Sequence, residues 1–186
     1  MVRRVEFIAG SLCLDLVDTI ADRNGRALEL LNTPEDLRNW IGQAGLPDNV
    51  PVDSAGLADV RLLRGAVFNA VSSVLDGEQV SRPDADLLNT LAREADFRPQ
   101  FVDGTVRQIS AKPFASVLSS IAADALNLLP PARPERLRRC AECGMLFLDK
   151  SRPGNRIWCS SATGCGNRAK VRRHRARKTE TAQYER

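Results

Sequence analysis

Four of the five cysteines stand in one short stretch: Cys140-Ala-Glu-Cys143, then Cys159 after fifteen residues, then Cys165 after five more. A Cys-x-x-Cys pair presents two thiolates from one tight turn, and a second pair completes the four sulfurs of a tetrahedral zinc site. Four sulfur ligands leave no open coordination position, so the expectation is one structural zinc per chain and not a catalytic one. The competing reading is two disulfides or four unrelated thiols. The short apolar stretch after Arg3 and Arg4, bracketed by Glu6 and Asp15, makes no signal peptide. Clustered thiols in such a chain read as a metal site first.

Other chemistry finds few residues to stand on. A single histidine, His174, argues against a histidine-based triad or a multi-histidine centre. No P-loop, dinucleotide fingerprint or Gly-x-Ser-x-Gly element occurs. Asp15 and Asp18 could share one helix face, but with no catalytic partner at readable spacing they read as solvated or salt-bridged acids. Cys13 lies in an apolar stretch and reads as a small hydrophobe. The protein is expected not to be an enzyme.

Beyond the last cysteine, seven of the eleven residues from Arg168 to Lys178 are basic. Arg168, Arg172 and Arg175 would share one helical face, and Lys170, Arg173 and Arg177 the neighbouring one. Such crowding of like charges is costly until a polyanion neutralises it, and arginine suits bidentate contact with phosphate or guanine edges. Arg168, Lys170, Arg172, Arg173, Arg175 and Arg177 are therefore the candidate nucleic-acid-binding residues, with double-stranded DNA the expected partner. Duplex RNA is a variant of that reading. The alternative, from another class, is a protein-interaction adaptor whose basic finger docks on an acidic partner.

The elements that must position these groups divide by composition. Residues 1–132 carry a net charge of −6 and residues 133–178 one of +11. Pro130, Pro131 and Pro134 mark the boundary, because proline cannot continue a helix. The expected organisation is a helical domain over 1–132, a zinc module with its basic helix over 133–178, and a frayed tail over 179–186. Few contacts are expected to cross the prolines. A short strand is expected over 5–9, followed by a helix from Leu12 towards Arg23. Thr33-Pro34-Glu35-Asp36 reads as a capped helix start. Longer helices are expected over 54–75, 83–95 and 113–129, and Asp103-Gly104 between alternating apolar residues signals a hairpin. In the zinc module, strands are expected at 145–148 and 156–158, with Cys165 opening the last helix, a treble-clef-like arrangement. The fold class is thus mainly α with one β-hairpin, plus a small C-terminal zinc finger. The apolar run at 117–129 is broken by Ser119, Ser120 and Asp124, a core helix and no membrane span. A cytoplasmic location is expected.

The finger segments Leu146-Phe-Leu-Asp149-Lys-Ser151-Arg, Arg156-Ile-Trp158-Cys159-Ser and Cys165-Gly-Asn-Arg168-Ala-Lys170-Val-Arg172-Arg resemble the CGNR zinc-finger family. The earlier stretches Leu14-Asp15-Leu16-Val17-Asp18-Thr19 and Leu31-Asn-Thr33-Pro34-Glu-Asp36-Leu37 are similar to the ABATE domain that usually precedes that finger. The resemblance implies a stress-related transcription regulator whose helical N-terminal domain senses or assembles. It leaves room for a small-molecule ligand of that domain and for a homo-oligomer. Two departures stand out. Five residues separate Cys159 from Cys165 where the family usually has four. The family's Leu-Asp-Phe-Val-Asn-Thr is here Leu-Asp-Leu-Val-Asp-Thr, so no role attached to that Phe or Asn is carried over.

Overall fold

A computed structural model describes residues 5–47, 49–94, 96–129, 136–160 and 163–184, with side chains as far as Arg177. The prolines at 130, 131 and 134, the 132/133 boundary and the expected helix end at Ala95 lie outside the described residues. The element order is α1 (Leu12–Val17), β1 (Ile20–Ala21), β2 (Leu28–Glu29), α2 (Pro34–Gln43), α3 (Ser54–Leu75), α4 (Arg82–Ala92), β3 (Arg98–Val102), β4 (Thr105–Ile109), α5 (Pro113–Leu128), β5 (Leu137–Arg139), β6 (Leu146–Leu148) and α6 (Cys165–Tyr184).

The long helices start where local chemistry directs. Thr33 accepts the Asp36 amide while Asp36 accepts the Thr33 amide, a capping box that satisfies two donors at the start of α2. Asp53 caps α3 through the Gly56 amide at 2.8 Å. Gly56 is required there, since a Cβ would lie 2.9 Å from the Phe114 ring of α5. Val60, Leu63, Val67 and Val71 form the buried stripe of α3, which packs against α1, α4 and α5. The Asp103-Gly104 pair makes the expected hairpin turn, both residues at positive φ (50° and 77°) and Val102 paired with Thr105.

Three short elements depart from expectation. Residues 5–9 form no strand, although the Ala9 carbonyl accepts the Leu148 amide at 2.7 Å. α1 stops at Val17: the Thr19 hydroxyl donates to the Leu16 carbonyl and Arg23 to that of Val17. Asp22 at φ 55° then turns the chain back to pair β1 with β2. In the finger, β6 pairs with β5, not with a strand at 156–158. The cause is Asp149, whose carboxylate accepts the amides of Ser151 at 3.0 Å and Arg156 at 2.8 Å and folds the segment into a loop. At the C-terminal end α6 runs to Tyr184, beyond the expected fraying point.

The finger shares the body's core. Leu137, Leu146 and Phe147 belong to the same buried cluster as Leu14, Leu16 and Val67, with β6 against α1 and β5 against α3. The Asn24 amide donates to the Cys143 carbonyl at 3.3 Å, and Arg139 pairs with Asp76 at the end of α3. The finger therefore packs on the body through shared core residues and these polar bonds, where few contacts were expected. Among the described residues, no helix is long and apolar enough to cross a membrane.

Candidate metal centre and basic helix

The turn joining β5 to β6 carries the first two cysteines. Its closing bonds run from the Cys140 amide to Met145 (2.8 Å) and from the Gly144 amide to Cys140 (3.0 Å). Gly144 sits at φ 75°, a conformation that glycine adopts without strain. Cys159 follows the Asp149 loop, and Cys165 opens the first turn of α6.

All four sulfurs converge. They are buried and lie within 4.8 Å of one another, with Cys143–Cys159 at 3.8 Å and Cys159–Cys165 at 3.7 Å. A sulfur–sulfur bond of about 2.05 Å is far shorter, so these are free thiols and not disulfides. A regular tetrahedron with metal–sulfur bonds of about 2.3 Å has edges of about 3.8 Å. The cluster has the size and donor set that zinc requires. Hydrogen bonding among the thiols pulls Cys140 below the ordinary thiol range, raises Cys143 and takes Cys159 to about 11. Metal binding would release those protons.

Around the cysteines stands a shell that the spacing did not disclose. Arg168 donates to the Cys165 sulfur at 3.0 Å and to the Thr163 carbonyl at 2.8 Å. The Thr163 hydroxyl lies 3.4 Å from the Cys159 sulfur. Glu142, inside the Cys-x-x-Cys turn, takes both ends of the Arg172 guanidinium at 2.7 Å, and the Arg172 hydrogen bond holds its carboxyl below the ordinary value. Two of the six candidate nucleic-acid contacts thus grip the finger itself. Lys170, Arg173, Arg175 and Arg177 are exposed along α6, as is His174. Asp149 was the shell residue with a readable signal, since Asp followed two residues later by Ser is turn chemistry. Glu142 and Thr163 gave none, because their partners are fixed only by the fold.

The acids set aside in the sequence are not solvated. Asp15 is buried and accepts the Ala9 amide at 2.9 Å. Burial pushes the Asp18 carboxyl well up, and the Asp15 charge adds to it. Cys13 is fully buried, with burial raising its thiol and Asp124 accepting its amide.

Comparison with known proteins agrees with this arrangement. Residues 10–130 match the ABATE family, described as "Putative stress-induced transcription regulator". Residues 136–178 match the CGNR zinc finger. No curated protein matches the chain. The helical body with its small hairpins and the four-cysteine finger with its hairpin and helix are together what those two matches describe: the chain belongs to the ABATE family and carries a C-terminal CGNR zinc finger.

Proposed function

We propose that the protein is a DNA-binding transcription regulator in which one structural zinc, held by Cys140, Cys143, Cys159 and Cys165, staples a basic reading helix to a helical body. The observation that carries the proposal is the setting of α6. Its first turn is bound to the cysteine cluster, and from Lys170 to Arg177 every side chain is exposed, five of the eight being Lys or Arg. A helix of twenty residues is about 30 Å long, enough to lie along a groove. The zinc closes the finger and, with four sulfur ligands, leaves no position for substrate, so the reading is of a binding protein without catalysis. Reduced thiols of this kind fit the cytoplasm.

Within α6 the roles divide. Arg168 and Arg172 hold the helix on the finger, while Lys170, Arg173, Arg175 and Arg177 meet phosphate, with base contact open to those nearest the anchored end. Residues 1–132 act as the sensing or assembly unit and residues 133–178 as the reader. The test is duplex binding as a function of salt. Neutralising four phosphates gives a log–log slope of about −3.6, and replacing Arg173, Arg175 and Arg177 with alanine flattens it by about 2.7. A zinc-loaded protein with no salt-dependent affinity for any duplex rejects the proposal. Tighter binding to an acidic polypeptide than to DNA would favour the adaptor reading.

A further inference from the structure

Between the finger and the body lies a half-open cleft of about 290 Å³. A single water needs only about 10–15 Å³ of such space, so the cleft has room for a ligand of several atoms. It is close to the lower end of small-molecule pockets, about 300–1,000 Å³. Ile20 from the body and Met145 from the finger supply apolar walls, and Cys143, Cys159 and Cys165 line its base.

Its polar lining is lopsided. Glu6, Asp18 and Asp22 are acids, and the cation in the wall is Arg168, already donating to the Cys165 sulfur, while Arg23 stands behind Asp18 outside the lining. Four thiolates around a dication carry a net charge of −2, which adds to the same sign. Asp18 is the telling member. Its Oδ2 is shut off from bulk solvent and has no hydrogen-bond partner, the costly state for a buried acceptor.

We infer that the cleft between β1, β6 and the cysteine cluster is a binding site for a small organic cation, an amine or guanidine whose N–H donors meet Asp18 and Asp22 while its carbon skeleton packs on Ile20 and Met145. Glu6 and Asp22 disfavour an anion, and a neutral polar molecule gains nothing from their charge. A flat aromatic ligand would find no ring in the lining. The site goes beyond the DNA-binding reading and rests on it only for the zinc at the base of the cleft.

The test uses the full zinc-loaded chain and NMR titration with putrescine, set against butanediol and succinate, which share its carbon skeleton but are neutral and anionic. The expected result is a saturable shift of the Ile20 and Met145 amides with putrescine, at a Kd of about 1 mM or below. Asp18→Asn, which keeps the size of the side chain and removes its acid, weakens it about tenfold and removes the preference over butanediol. Asp22→Asn is a second variant, because asparagine tolerates the positive φ at that position. No saturable shift with putrescine, arginine methyl ester or imidazole overturns the inference. So does an equal response to succinate, or unchanged binding in both variants. Zinc analysis of the same samples keeps the readings apart: a chain that loads zinc yet ignores every amine refutes the cleft alone, and one that binds amines without zinc refutes the staple alone.

Discussion

Replacing Cys140 with serine asks whether the finger is an appendage or part of the core. Zinc contributes about 10–16 kcal/mol to comparable small modules, so its loss removes what holds β5 and β6 in place. Leu137, Leu146 and Phe147 are at most 1% exposed and sit in the body's own core cluster. At about 1.5–3 kcal/mol for each buried side chain, their release costs about 5–9 kcal/mol, an upper bound because denatured chains already bury some surface. That is comparable with the whole stability of a domain, about 5–15 kcal/mol. Cys140→Ser is therefore expected to lower protection in α1 and at the Asp76 end of α3 as well as in residues 137–148. Hydrogen exchange read by mass spectrometry, with chelator-treated wild type as a parallel sample, reports each segment separately. Wild-type exchange rates in α1, alongside full loss of protection in the finger, would refute the shared-core argument.

Arg64 is 4% exposed and donates to Thr19 and to both oxygens of Glu29; Arg64→Met should cost about 1.5–3 kcal/mol in urea unfolding. Burial raises the Glu29 carboxyl, but the Arg64 and Leu31 hydrogen bonds outweigh it and hold it below the ordinary 4.5. The stability Glu29 adds is present above that pH and disappears as pH falls through the lowered value, and Arg64→Met should flatten this acid limb. Asp15 behaves oppositely: burial raises it from 3.8 to about 6. Its contribution is full below 3.8 and fades as pH rises to about 6, so unfolding of Asp15→Asn should lack that slope. Arg168→Ala should weaken zinc retention about 10–100-fold in a chelator competition; unchanged retention would return Arg168 to the nucleic-acid surface.

What the sequence disclosed follows from how local the causes are. Thr33-Pro34, Asp53 and Asp103-Gly104 act on amides within a few residues, and the structure has α2, α3 and the β3–β4 hairpin at those places. The cysteines were readable because a tetrahedral donor set needs those types at short spacing. The finger's hairpin was misplaced because three-residue strands carry almost no alternation, and Leu137-Arg-Arg139 looks like loop beside Arg156-Ile-Trp158 with its two large apolar residues. There the deciding force was the Asp149 carboxylate. The cleft was illegible for a further reason. Asp18 and Met145 are more than a hundred residues apart, and no spacing rule brings them together.

The bond between the Ala9 carbonyl and the Leu148 amide has a consequence for synthesis. At about 5–20 residues per second, the ribosome makes residue 148 about 7–28 s after residue 9. Through that interval the start of the chain and the exposed flank of α1 lack the strand that covers them. The nascent protein is then most open to chaperones and proteases. Metal capture comes later still, since Cys165 is made after Leu148.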